Sequence, residues 1–218
     1  MPALPATFFA AASLTSAATL GLLRAEARDS VRGVWLFKPL AALGFVAAAL
    51  AADATASTYG TWILIGLLFS FAGDVFLIPR NSDAGFLAGL TAFLLGHLAY
   101  AGAFLSLGFS ATGAGIAALA LAAPFVLTLR WLRPHLEGSM KAAVPVYTTV
   151  ICAMGIAAGS AFALSGNGTA LAGALLFQVS DLAVAREQFV EQTLRNKLWG
   201  LPFYFGAQLL LAASIATF

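Results

Sequence analysis

Long apolar runs, interrupted by short clusters of charge, glycine and proline, fill the chain from end to end. A membrane-spanning helix needs about 20 mostly apolar residues. Cutting the chain at those interruptions predicts eight helices, at 4–23, 34–52, 61–79, 84–107, 113–131, 142–164, 168–185 and 198–217. Eight spans in 218 residues leave almost no loop. The expected fold is all-α, a single polytopic transmembrane bundle over residues 1–218, and whatever the protein does it must do with its helices.

Composition excludes the soluble alternatives. The residues are 61% hydrophobic and 9% charged, and the mean hydropathy is +0.93. A soluble globular domain is about 25% charged, so lipid is the solvent for most of this surface. A soluble enzyme, a nucleic-acid-binding domain and a disordered chain are ruled out. The net charge of +2 says little about partners, because so few charges contribute. Cys152, the single cysteine, leaves no intrachain disulfide and no cysteine-based metal site, and it reads as a small packing residue.

The basic residues give the bundle a direction. No Lys or Arg precedes the first span, so it lacks the basic segment of a cleaved signal peptide. Arg24, Arg28 and Arg32 follow it, and Lys38 lies just inside the second helix. Arg80 follows the third span, Arg130, Arg133 and Lys141 flank the connection after the fifth, and Arg186, Arg195 and Lys197 follow the seventh. The connections after the second, fourth and sixth spans have none. The positive-inside rule then places both termini outside and the four basic connections in the cytoplasm. The expected location is a bacterial inner (cytoplasmic) membrane. A faint internal echo accompanies this: Leu67-Leu68-Phe69 leads to Gly73-Asp74, and Leu175-Leu176-Phe177 leads to Ser180-Asp181. Both helices run outside to inside, as a parallel four-plus-four repeat requires.

Ionisable residues inside the spans carry the information, because each costs roughly 2.5–3.5 kcal/mol at mid-bilayer on the insertion scale. They are Lys38, Asp74, His97 and Asp181, accompanied by Ser70, Tyr100, Tyr147, Ser180, Tyr204 and Gln208. At 1.5 Å per residue, Asp74 and Asp181 lie ~8–9 Å below the basic ends of their helices. Lys38, Tyr147 and Tyr204 enter from the same side, with His97 and Gln208 deeper. If the bundle gathers these residues, they form a polar pocket in the cytoplasmic half of the membrane. Each also has a plainer reading: Lys38 can snorkel to the headgroups, and the tyrosines can belong to an interfacial belt. His97 can be a helix–helix hydrogen bonder, and Ser70 and Ser180 can bond back to their own helices. The aspartates resist such readings, because Asp is too short to snorkel that far.

Two carboxyl groups in an apolar pocket suit acid–base chemistry, one protonated and the other ionised. The same division of labour serves oxocarbenium-forming hydrolysis in glycosidases. Two Asp and one His could also make a facial metal triad, but His135 falls in a connection, so a His-rich zinc site is not expected. Ser70 and Ser180 lack the context of an activated nucleophile.

At these residues the sequence resembles the YhhN-like lysoplasmalogenases, eight-helix membrane proteins. The resemblance rests on Lys38-Pro39, Ser70-Phe-Ala-Gly73-Asp74, Gly96-His97-Leu-Ala-Tyr100, Tyr147, Phe177-Gln-Val-Ser180-Asp181, and Tyr204 with Gln208, in that order. It implies hydrolysis of the vinyl ether bond of a lysoplasmalogen to a fatty aldehyde and glycerophosphoethanolamine or glycerophosphocholine. It also implies Asp74 and Asp181 as the catalytic pair, with Lys38, Ser70, His97, Tyr100, Tyr147, Ser180, Tyr204 and Gln208 supporting them. No cofactor and no metal are expected. The partners are a lysophospholipid substrate and bilayer lipid, with no nucleic acid. Two alternatives stay open: a small-solute or proton-coupled transporter, since paired acids serve as proton relays, and a hydrolase of another lipid bond.

Overall fold

A computed structural model describes residues 3–79 and 82–218; Arg80, one of the basic residues used above, lies outside them. The described residues form eight long helices and no strand. They are α1 (Ala6–Ala27), α2 (Val31–Ala51), α3 (Thr58–Phe76), α4 (Asp83–Ser106), α5 (Ala111–Leu132), α6 (Met140–Ser165), α7 (Gly168–Ala185) and α8 (Leu194–Ser214). All eight are long and apolar enough to cross a membrane, and the protein is an integral membrane protein.

Several helices run beyond the apolar stretches that announced them. α1 continues past position 23 to Ala27, and α8 begins at Leu194, taking in Arg195 and Lys197. Intrahelical hydrogen bonding does not stop where the apolar run stops. For the same reason Pro39 and Pro202, which the sequence places near helix starts, lie well inside α2 and α8.

Four helix starts share one device. Ser30, Ser57, Ser82 and Ser110 each accept a hydrogen bond from the backbone N–H of the glycine three residues on, which satisfies one orphan donor of the first turn. The glycine also admits a neighbour: a Cβ on Gly33 would stand 2.6 Å from that of Ala25, and one on Gly113 2.5 Å from that of Ala163.

Lipid offers no hydrophobic drive between helices, so small residues that allow close backbone approach dominate the buried faces. Ala41, Ala42, Ala48 and Ala49 do this on α2, and Gly155, Ala158, Gly159 and Ala161 on α6. Many large apolar side chains point outward, Leu119 being 80% exposed, while a smaller set that includes Phe45, Phe104 and Phe177 is buried.

Sequence neighbours pair as hairpins, α1 with α2, α3 with α4, α5 with α6 and α7 with α8. Between hairpins the packing recurs under a shift of four helices: α2 on α3 matches α6 on α7, and α2 on α8 matches α6 on α4. The outer helices break the pattern. α1 packs on both α2 and α8, whereas α5 packs closely on α6 alone, and its only buried residues are Gly113, Ala114 and Leu132.

Candidate active site

Three helices each bury a pair of polar residues about one turn apart: Ser70 and Asp74 on α3, His97 and Tyr100 on α4, Tyr204 and Gln208 on α8. Residues three or four apart share a helix face, so each helix turns its pair into the bundle. There the side chains form three small networks.

The first surrounds Asp74. The Tyr204 hydroxyl donates to Oδ2 at 2.6 Å, and Lys38 Nζ lies 3.4 Å from Oδ1. The Lys38 side chain is only 12% exposed, so it turns inward to the carboxyl group and does not snorkel. The second surrounds Asp181, whose Oδ2 accepts from the Tyr147 hydroxyl at 3.1 Å and lies 3.6 Å from His97 Nε2. His97 Nδ1 is 2.6 Å from the carbonyl oxygen of Phe93. A carbonyl can only accept, so Nδ1 carries a proton. His97 Nε2 is buried and has no hydrogen-bond partner among the described residues, with the Asp181 carboxyl as its ionisable neighbour.

The third network lies behind these. The Tyr100 hydroxyl donates to Gln208 Oε1 at 2.7 Å, and Ser70 Oγ is 3.3 Å from the same hydroxyl. With the tyrosine proton committed to Gln208, Ser70 is the donor. Ser180 bonds back to the carbonyl of Phe177 at 2.7 Å. The Phe177 ring ties the first two networks together, its centroid 4.4 Å from that of His97 and 5.3 Å from that of Tyr204.

The four-helix shift extends to these partners. Asp74 on α3 is held from α2 and α8, and Asp181 on α7 from α6 and α4. The sequence echo is one residue out of step with this equivalence. Counted back four from each aspartate, Ser70 matches Phe177, while Phe69 faces outward at 36% exposure.

Lys38, Asp74, Tyr147, Ser180, Asp181 and Tyr204 lie on the wall of one cavity of about 920 Å³. Ser70, His97, Tyr100 and Gln208 do not line it and support the wall from behind. Residues of the connections after α1, α3 and α7 also line this cavity, so its mouth lies at the basic end of the bundle. Among the described residues no group of three or more His, Cys, Asp or Glu side chains is arranged to hold a metal ion.

Sequence reasoning missed the mouth itself. Lys197 Nζ lies 2.8 Å from Glu26 Oε2 and 3.5 Å from Glu187 Oε1, and the buried Asn196 donates to Glu187 Oε2 at 2.9 Å. The signal available was the unusual density of charge after α7, more than a hairpin turn requires. Gln178 was also overlooked. Its Nε2 donates to the carbonyl of Ile151 at 2.7 Å, and a polar amide one turn before Asp181 in an apolar span was the clue.

Comparison with known proteins gives this arrangement relatives. Lysoplasmalogenase TMEM86A of Bos taurus and that of Homo sapiens are each 34% identical over 193 residues, covering 83% of this chain and 72% of their own. Lysoplasmalogenase of Mycobacterium tuberculosis is 30% identical over 177 residues, 77% of this chain and 66% of its own. No solved structure matches. The YhhN family model matches residues 33–215, which hold every residue of the three networks; the chain belongs to the YhhN family.

Proposed function

We propose that this protein is a lysoplasmalogenase, hydrolysing the vinyl ether bond of a lysoplasmalogen to a fatty aldehyde and glycerophosphoethanolamine or glycerophosphocholine. The relatives that carry this name support the activity. One observation carries the chemistry: two aspartates on the wall of one cavity each accept from a tyrosine hydroxyl but differ in their second partner. Asp74 faces an ammonium and a hydroxyl donor, both of which favour a carboxylate. Among the described residues Asp181 has no such cation; beside the Tyr147 hydroxyl stands His97, which on this reading is the neutral acceptor of the Asp181 proton.

On this reading Asp181 is the acid and Asp74 the stabilising base. Asp181 gives its proton to the β-carbon of the vinyl ether, leaving an oxocarbenium ion. The carboxylate of Asp74 stabilises that cation and takes a proton from the water that adds to it. The resulting hemiacetal collapses to aldehyde and alcohol: Asp74 passes the proton it took from water to the leaving oxygen, and the Asp181 carboxylate takes the hemiacetal hydroxyl proton, which returns both groups to their starting states. Lys38 keeps Asp74 ionised. Tyr147 and Tyr204 hold the two carboxyl groups in place, and the charged mouth receives the headgroup. The basic connections around that mouth support a cytoplasmic opening, with the cavity in the inner-leaflet half of the membrane.

The test is aldehyde release from a lysoplasmalogen by detergent-purified protein, with a lyso-ester lipid and a chelator as parallel arms. Aldehyde from the vinyl ether alone, with or without chelator, is expected. A well-folded sample that releases none would overturn the reading. Because detergent abolishes any gradient, turnover there also separates an enzyme from a carrier.

A further inference from the structure

The cavity is larger than the two aspartates need. At about 920 Å³ it is near the top of the range for small-molecule sites, about 300–1,000 Å³. Its extra space lies on one side. From Asp181 and Tyr147 the wall continues inward along Leu121 and Phe125 of α5, Ile151 and Cys152 of α6, and Leu175 and Val179 of α7. This groove, floored by α6 and flanked by α5 and α7, is mostly apolar; Thr128, Thr148 and Gln178 also line it, the Gln178 amide tied to the carbonyl of Ile151.

The groove exists because the four-helix pattern fails at α5. Its counterpart α1 rests on two helices, whereas α5 packs closely on α6 alone. The space between α5 and α7 is left open, and Leu175 and Val179 on the α7 side are each 39% exposed. The groove ends at Gly155. A Cβ there would collide with the amide of Gln178 from α7 and stand 2.8 Å from Leu121 Cδ1 of α5, so side chains from both flanks meet over that glycine. From Tyr147 to Gly155 is eight residues, or ~12 Å along α6.

We infer that this groove is the binding subsite for the hydrocarbon chain of the single-chain ether lysophospholipid, which enters sideways from the bilayer between α5 and α7. The inference rests on the lysoplasmalogenase reading for its substrate class, and continuity of the groove with the aspartates in one cavity argues for this occupant. A chain lying between α5 and α7 brings its first carbons, those of the vinyl ether, to Asp181 at the head of the groove. The headgroup stays at the charged mouth. One groove accommodates one chain, which favours a lysolipid over a diacyl lipid.

The native sequence contains its own reporter. Cys152, the single cysteine of the chain, is partly exposed on the groove wall. With the protein in phosphatidylcholine nanodiscs, the rate of Cys152 alkylation by N-ethylmaleimide is measured with and without a saturated 1-O-alkyl lysophospholipid, which binds but cannot be hydrolysed. Slowing of several-fold by the alkyl lysolipid is expected, with none by glycerophosphoethanolamine, which lacks the chain. Equal protection by both, no protection by either, or a Cys152 that stays unlabelled without added lysolipid overturns the proposal. A second measurement is independent of the thiol. Val179→Trp fills the groove from its lipid-facing side and should lower the preference for long-chain over short-chain lysoplasmalogens by about tenfold, the worth of roughly two buried methylenes. An unchanged preference overturns the proposal. The two readings fail separately: protection without turnover leaves the groove standing and sinks the reaction, and turnover without protection does the reverse.

Discussion

His97 Nε2 stands 3.6 Å from Asp181 Oδ2 while its other nitrogen is committed to the carbonyl of Phe93. His97 Nε2 has no hydrogen-bond partner among the described residues in this arrangement, and on the proposed reading a proton on Asp181 supplies one. The same Oδ2 accepts a hydrogen bond from the Tyr147 hydroxyl, which fixes the carboxyl orientation. General acid–base catalysis is typically worth 10²–10⁴ in rate. Asp181→Asn should therefore lower kcat for aldehyde release by about that factor while the protein still elutes as a folded species. His97→Ala should reduce it less, because the acid survives and loses only its orientation. Wild-type rates in Asp181→Asn would end the assignment.

Lys38 and Asp74 make a different kind of pair, an ammonium and a carboxyl group 3.4 Å apart and largely buried. Removing one member of a buried pair strands the other charge, at a cost of about 3–5 kcal/mol. Lys38→Met should lower the melting temperature of the purified protein sharply, and Lys38→Met with Asp74→Asn should recover much of the loss. Additive losses in that cycle would mean that the two side chains do not interact. Both Asp74→Asn proteins should lack turnover, since the double variant restores stability without the carboxylate.

The arrangement of charge along the chain predicts a topology that can be measured directly. Connections bearing Arg28, Arg133 and Arg186 belong on one side, and the arginine- and lysine-free connections around Asp53, Gly108 and Gly166 on the other. A reporter enzyme active only outside the cytoplasm should work when fused after Phe218 and fail when inserted at Gly138. The opposite pattern would place the cavity mouth in the outer leaflet and remove the inner-leaflet route for substrate.

The parts of this structure that could be read from the sequence are those set by one helix at a time. Bilayer thickness dictates the length of each apolar run, so eight spans were visible. The cost of a charge in lipid singled out Lys38, Asp74, His97 and Asp181 before any packing was known. What one helix cannot specify is its neighbour. Tyr204 and Asp74 are 130 residues apart and hydrogen-bonded, and nothing in either span names the other. The choice between Lys38 snorkelling and pairing depended on where α3 stands beside α2. The open flank of α5 was hidden for the same reason, because its sequence is as apolar as those of helices that pack on two neighbours. The cluster of Glu26, Glu187 and Lys197 is drawn from the end of α1, the segment after α7 and the start of α8, and each charge alone looks like ordinary solvated charge.

Close packing behind the site yields the last prediction. A Cβ on Gly66 would run into the ring of Tyr100, which Ser70 and Gln208 hold by its hydroxyl. The ring cannot retreat without breaking those bonds, and it is fully buried, so Gly66→Ala overpacks a site with no slack. Such overpacking costs about 1–3 kcal/mol. It should lower thermal stability and also turnover, because displacement of Tyr100 moves Gln208, one turn from Tyr204 on α8. Gly115 is the matched control: nothing stands within 4 Å of a Cβ placed there, and alanine is the better helix former by roughly 0.5–1 kcal/mol. Gly115→Ala should melt no lower than the parent and keep its activity. Equal behaviour of the two variants would show that Tyr100 is free to move, and the wall behind the aspartates would then be softer than its hydrogen bonds imply.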